Sequence, residues 1–504
     1  MSNSNKDTPT DNAPEKGMSL TRKAGIVTIS RAVTLTAQLL ATIILTRSLP
    51  KEDFSLISFL LLVYATVQTF GQLGLPDSVF YFFEKLPKES RKSITLLIGK
   101  LLLYFALIGT AVLFLIGWFS ASKEGFQEAR MLLWVFMLLL VFELPTIPLP
   151  NVLIALDKAK GAAWLNVIVG ISQFLAITLP VLFNQPVAVI AYGLLVYGFL
   201  RLLFSAAIFF RQFRGEKAAP LPKGIIRELF SYSVPLSIAQ IFWSINRQID
   251  KYVVQWFLPV TVFAEYTVGA WEIPIIPTIA YSVASVMMPQ LVNYHLKGEK
   301  EKLLSLWFSS IRKVSAIVLP LVMVFIVTAD EFIVMLFSKE YINAALPFRI
   351  YSLILLQRVA SYSSMQKAIG STKVITYAAI YIFVINGVLC IPFVLWLGVA
   401  GPPLASVIAN TFTWWYSLSK IQKALKVTFR EVFPIAHYLK TLAVAALPAL
   451  PLFLLKNQLD MAVSLKFALT VVLYLAGYLL LARLTKVIGQ EDWERMLRAV
   501  KLRP

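Results

Sequence analysis

Seven basic residues of this chain lie inside runs of leucine, isoleucine, valine and phenylalanine: Arg31, Lys100, Arg201, Arg247, Lys251, Arg349 and Arg358. A cation at the centre of a bilayer costs about 2.5–3.5 kcal/mol on insertion scales. A chain that keeps several such cations is expected to face them into a polar cavity, and a cationic cavity suits an anionic cargo. Position divides the seven. Lys100 and Arg349 lie near the ends of their apolar runs, where a long side chain can snorkel to the interface. Arg31, Arg201 and Arg358 lie deeper and are read as cavity cations. Arg247, Asp250 and Lys251 have spacings of three and four, which place them on one helical face. That cluster is either an internal ion pair of Asp250 with Arg247 or a site where cargo or a proton competes for the pair.

The carboxylates in apolar runs are Asp77, Glu143, Asp250 and Glu272. Glu143 precedes Pro145 and Pro148, and Glu272 precedes Pro274 and Pro277. Each proline removes a backbone donor and disturbs a helix. Lipid offers the freed carbonyls no partner, so each Glu is expected beside a kinked, locally polar patch. Such a carboxyl either exchanges protons, suiting a coupling or gating role shared with Asp250, or stays neutral against the opened backbone. Asp77 reads as a boundary residue. Histidines are limited to His295 and His437, far apart, and there is a single cysteine, Cys390. Without HExxH, a metal-ligand cluster or a GxxxxGK[ST] loop, no metal, cofactor or ATP hydrolysis is expected.

These residues are carried by a chain of 504 residues, 58% hydrophobic and only 15% charged, with a mean hydropathy of +0.73. Soluble domains carry about 25% charge. The apolar runs are long enough for about fourteen membrane spans, near 24–48, 53–80, 94–119, 129–155, 162–183, 187–210, 229–257, 261–291, 311–328, 344–366, 374–397, 401–419, 439–456 and 464–484. The net charge of +20 reads as a topology signal, not as a nucleic-acid surface. With the N-terminus placed inside, the outer loops hold only Arg47, Lys51, Lys123, Arg130, Lys339, Lys456 and Lys466 of the 47 basic residues. Apart from the seven intramembrane cations, the rest fall inside, so both termini are expected in the cytoplasm.

Residues 1–18 read as a disordered tail. Residues 211–228 are basic and rich in Gly and Pro, and read as a cytoplasmic linker between an N-lobe, 19–210, and a C-lobe, 229–425. The two lobes resemble one another. Leu153–Lys160 and Gln366–Lys373 both end a helix before two apolar spans, and Leu49-Pro50 and Leu258-Pro259 both close a first span. Copies six spans apart share one membrane orientation, which makes a parallel repeat. Residues 426–504 add two spans and a tail, in which 491–503 form either a short amphipathic helix at the membrane surface or a loose basic segment. The fold expected is all-α and polytopic: two six-helix lobes related by a parallel repeat, plus two C-terminal helices.

Several stretches resemble the polysaccharide-biosynthesis flippases of the multidrug/oligosaccharidyl-lipid/polysaccharide exporter superfamily. They are Tyr232-Ser233-Val234-Pro235-Leu236, then Ile249–Val254 and Met288-Pro289-Gln290; Phe332–Phe337 with Tyr341, Ala344 and Ala345; and Lys367–Lys373, Asn386 and Gly398–Ala405. Leu45–Phe54 is similar to the family's first turn. The resemblance covers spans one to twelve. It implies a non-enzymatic carrier that moves a polyprenyl-pyrophosphate-linked glycan from the cytoplasmic to the outer leaflet of a bacterial inner membrane. The glycan would serve O-antigen, capsule or exopolysaccharide synthesis. The implied mechanism is alternating access, with membrane lipids, a proton or sodium ion, and other polysaccharide-assembly proteins as partners. The resemblance carries over no residue list beyond Asp250 and its neighbours; from their own positions, Arg31, Arg201, Arg247, Lys251 and Arg358 would hold the substrate, and Glu143, Asp250 or Glu272 would couple the cycle. A multidrug antiporter of the same superfamily would call for an acidic cavity instead. A membrane-embedded polymerase or ligase would call for a large outer loop.

Overall fold

The apolar runs fold into helices, because lipid leaves each backbone donor and acceptor to be satisfied within its own segment. The computed structural model describes residues 20–120, 127–270, 273, 275–458, 460–490 and 493–494. Arg31 and Glu272 are therefore beyond a side-chain description, as are the expected N-terminal tail and most of the 491–503 segment. The helices are α1 Leu20–Ser48, α2 Lys51–Gln72, α3 Leu75–Lys85, α4 Arg91–Ser120, α5 Gln127–Glu143, α6 Leu149–Ala155, α7 Ala159–Leu182 and α8 Val187–Gln212. They continue as α9 Ile225–Phe257, α10 Val260–Gly269, α11 Ile275–Leu296, α12 Lys300–Val327, α13 Ala329–Leu336, α14 Ala345–Leu355, α15 Tyr362–Ala368 and α16 Lys373–Leu397. The chain ends with α17 Gly401–Leu425, α18 Phe429–Val432, α19 Ile435–Leu455 and α20 Val463–Leu484. Among the described residues there is no strand.

Nine helical stretches of the described residues are long and apolar enough to cross a membrane on their own. The remaining expected spans are of three kinds. α1 is apolar only over Ala32–Ser48, α9 carries Arg247, Asp250 and Lys251, and α10–α11 and α14–α15 are each divided into two helices. Two sets of helices pack among themselves: α1 on α7, α4 on α5 and α5 on α8, and then α9 on α16, α16 on α17, α14 on α17 and α12 on α19. α2 packs across on α9 and α10, and α3 on α9.

The repeat legible in the sequence reappears as matched backbone geometry. Pro50 and Pro259 cap α2 and α10 with nearly identical torsions, φ −53°, ψ 154° and φ −58°, ψ 154°. Each accepts a bond of 3.0 Å from the amide four residues on, Phe54 or Phe263. The helix ends before the fifth and eleventh spans also match. Lys158 N–H donates to Leu153 O and Asp157 N–H to Ile154 O; Ser371 N–H donates to Gln366 O and Gly370 N–H to Lys367 O. Both are Schellman closures, with Asp157 at φ 62° and Gly370 at φ 74° in the left-handed region. The breaks match as well: the fourth span opens at Leu144–Pro148 between α5 and α6, and the tenth opens between α14 and α15. The Glu-x-Pro stretch of the fourth span has its sequence likeness in the eighth, which is not its repeat partner.

Gly74 joins α2 to α3 at φ +69°, and a Cβ there would lie 2.7 Å from the Ser233 carbonyl oxygen of α9. Glycine is required both by the torsion and by the close approach. Gly74→Ala is expected to cost at least about 1–2 kcal/mol for the left-handed torsion alone. A thermal-unfolding scan of the detergent-solubilised protein should show the lowered midpoint.

Candidate functional site: a broken helix and its polar pocket

The α14–α15 break opens the backbone within the tenth span. Leu356, Gln357 and Arg358 donate in tight turns to Leu353, Ile354 and Leu355 at 2.9–3.2 Å. Two of the carbonyls left free accept from tyrosines: Leu356 O from Tyr438 Oη at 3.0 Å, and Gln357 O from Tyr362 Oη at 3.2 Å. Tyr362 Oη in turn accepts from Trp414 Nε1 at 2.8 Å. The break is thus satisfied by protein, as irregular backbone at this depth requires.

Arg358 leaves this break and lines a cavity of about 260 Å³. Trp243 of α9, Tyr281 of α11, and Asn410 and Thr413 of α17 form other walls, with Gln366 of α15. Gln366 is 2% exposed. Its Nε2 and the Arg358 Nε are buried and have no hydrogen-bond partner. Buried donors are ordinarily paired, and an orphan costs about 1–3 kcal/mol. Two such donors on residues that line one cavity make it a place for a ligand rich in acceptors.

Arg247 lies four residues beyond Trp243 on α9, one turn along the same face. It is exposed, and among the described residues no ion pair involves it. The Arg247–Asp250 ion pair, one of the two readings of this cluster, is therefore not formed. Asp250 instead is 4% exposed and accepts from Tyr266 Oη and from the Lys251 amide, both at 2.9 Å. Tyr266 Oη also bonds Tyr351 Oη at 2.8 Å. This chain ties α9 to α10 and α14. Nearby, Asn386 of α16 donates to Asn246 Oδ1 and accepts from Ser406 Oγ, both at 3.2 Å, joining α9, α16 and α17.

Arg201 and Glu143, read from the sequence as a cavity cation and a coupling carboxylate, bind one another. Arg201 Nη1 is 2.8 Å from Glu143 Oε1 and 3.1 Å from Tyr197 Oη. Tyr64 Oη also donates to Glu143, as does Gln68 Nε2 at 3.2 Å. The Glu-x-Pro break thus holds a fully occupied ion pair that joins α5, α8 and α2. Arg201 and Tyr197 border a cavity of about 520 Å³ between α7 and α8, whose other walls are apolar except for Ser172, among them Leu175, Leu179, Leu200 and Phe204. These four side chains are exposed, as a lipid-facing groove would be.

The remaining candidates fall at the edges. Arg349 pairs with Asp330 and donates from Nε to Ile326 O at 3.2 Å. Lys456, 1% exposed, pairs with Glu331 at 2.6 Å and with Asp330 at 3.2 Å, pinning the end of α19 to α13. Lys100 is exposed. Asp77 accepts from Asn151 Nδ2 at 3.2 Å.

Contacts tie the start of α2 to the second helix set. Lys51 Nζ binds Glu265 Oε1 at 2.7 Å, and Asn343 donates to the same oxygen at 3.2 Å. Ser55 Oγ donates to Val260 O at 2.7 Å. Arg47 donates to the carbonyls of Leu336 and Met335. Glu265→Gln should weaken this tie and increase thiol labelling of a cysteine placed at Ser55 several-fold, measured with a membrane-impermeant maleimide. The native Cys390 is buried.

The architecture is that of a multi-pass membrane protein, with broken helices around a polar pocket. The structure resembles lipid II flippase MurJ in an inward closed conformation, with a TM-score of 0.69 at 17% identity over 92% of this chain and 98% of that one. It also resembles an inward-facing multidrug resistance MATE family transporter of the MOP superfamily, with a TM-score of 0.60 at 15% identity over 81% and 99%. A MOP superfamily transporter from Pyrococcus furiosus Vc1, described by a reversed polarity of its binding pocket, gives 0.51 at 16% identity over 81% and 96%. No curated protein sequence matches the chain. The polysaccharide biosynthesis protein family matches residues 20–295, and the chain belongs to that family.

Trp243 and Gln366 had no functional reading in the sequence. Trp243 was one aromatic among many, and Gln366 was noted only as part of the repeat. The four-residue offset of Trp243 from Arg247 was the available signal.

Proposed function

We propose that this protein flips a polyprenyl-pyrophosphate-linked oligosaccharide from the cytoplasmic to the outer leaflet of a bacterial inner membrane, for O-antigen, capsule or exopolysaccharide synthesis. The observation that carries this reading is the pocket at the α14–α15 break, where Arg358 Nε and Gln366 Nε2 lack partners, one turn from the exposed Arg247. The 19–210 and 229–425 lobes rock about this site, joined by the cytoplasmic 211–228 linker, with both termini cytoplasmic. Arg247 and Lys251, aided by Arg31, attract the pyrophosphate, since guanidinium and phosphate form strong charge-assisted bonds. They lower the cost of carrying phosphate charge through the bilayer interior. The polyprenyl tail stays in lipid. The closure around Lys51 and Glu265 is the outer gate of an inward-facing state, and opposing states share the site.

Asp250 is the coupling candidate in this scheme, because Tyr266 and Tyr351 extend its hydrogen bonds toward α14; Glu272 is a second. A proton or sodium ion supplies the gradient, and other polysaccharide-assembly proteins receive the product. A multidrug antiporter would need free carboxylates in its cavity, but Glu143 is held by Arg201 and Asp250 by Tyr266. Depletion of the protein in cells should make lipid-linked glycan accumulate on the cytoplasmic leaflet, measured by protection of the glycan from an externally added glycosidase. Unchanged export after depletion would refute the reading.

A further inference from the structure

The pocket at the α14–α15 break has a composition that a pyrophosphate would not need. Besides Arg358 its lining holds four aromatic side chains, Trp243, Tyr281, Tyr362 and Trp414, and the amide and hydroxyl groups of Gln366, Asn410 and Thr413. Aromatic walls with a few convergent polar groups suit an amphipathic ring, with its apolar face against the aromatics and its hydroxyls against the amides. Clefts for drug-sized ligands run from about 300 Å³ upward. This one, at about 260 Å³, suits a single ring. The two orphaned groups, Arg358 Nε and Gln366 Nε2, are both donors. A ring that satisfies both presents acceptor oxygens to an arginine, whose guanidinium matches a carboxylate or a phosphate; on a single sugar ring against aromatic walls the carboxylate is the group that fits.

We infer that this pocket is a subsite for one acidic sugar of the carried glycan, a hexuronic acid or a carboxyl-bearing equivalent, with Arg358 and Gln366 on its carboxylate and Trp243 and Tyr281 beside its ring. The inference rests on the flippase reading and adds the charge class of the glycan to it. Arg247, one turn away on α9, remains for the pyrophosphate.

Purified full-length protein in detergent should give saturation-transfer NMR signals with glucuronate that are far weaker with glucose. Inorganic phosphate should leave the glucuronate signal in place. Arg358→Gln should weaken glucuronate binding by about tenfold, which corresponds to 1.4 kcal/mol, and Gln366→Leu should weaken it as well, both at a thermal midpoint close to wild type. Equal signals from glucose and glucuronate would overturn the acidic assignment, displacement by phosphate would make the pocket a phosphate site, and no signal from either sugar would remove the subsite. Reconstituted transport separates this inference from the one beneath it. If wild-type protein moves neither acidic nor neutral lipid-linked glycan, the flippase reading fails. If it moves both equally and Arg358→Gln leaves their ratio unchanged, only the subsite fails.

Discussion

Glu143→Gln should destabilise the protein by about 3–5 kcal/mol, the usual cost of removing one partner from a buried ion pair. Glu143 and Arg201 have side-chain exposures of only 4% and 17%, so water replaces little of what is lost. The neutral amide also disturbs the bonds from Tyr64 and Gln68, leaving a guanidinium in a site built around a carboxylate. Arg201→Met should cost a comparable amount for the mirror reason. The double variant should cost less than the two single changes added together, because no unpaired charge remains. Unfolding midpoints of the four proteins in one detergent would check the cycle. Additive effects would mean that the pair is not what holds α5 to α8.

Arg358→Ala should produce the opposite profile, with transport falling by at least about tenfold, the effect of losing roughly 1.4 kcal/mol of substrate interaction, while stability changes little. The Arg358 Nε has no partner to lose, and the bonds closing the α14–α15 break come from backbone, Tyr362 and Tyr438. Glu143→Gln and Arg358→Ala therefore separate two kinds of intramembrane charge, one structural and one available to a ligand. Initial rates of glycan translocation at matched protein levels give the comparison, with unfolding midpoints as the control.

Much of the fold was legible because apolar length and loop charge are local properties. The repeat was legible because its two Schellman closures and its two Leu-Pro turns each sit within a few consecutive residues. The breaks were legible only in part. Pro145 and Pro148 mark the one in the fourth span, but Leu356–Ser361 contains no proline or glycine. That break is held open by Tyr438, which lies 82 residues from its acceptor. The site was harder to read for the same reason. Arg201 and Glu143 stand 58 residues apart, and nothing in either local stretch says that one holds the other. Arg358 was singled out by its depth in an apolar run, whereas its company of Trp243 and Gln366 arises from a cavity that α9, α11, α15 and α17 wall together.

Reconstitution tests the central claim most directly. Purified protein is placed in liposomes with a fluorescent polyprenyl-pyrophosphate-linked oligosaccharide, and the fraction reached by a membrane-impermeant quencher is followed over time. A flippase brings the protected pool to the accessible leaflet, and Arg247→Ala and Arg358→Ala each slow that exchange. Exchange no faster than in protein-free liposomes, with the protein folded and a gradient of protons or sodium applied, would contradict the account.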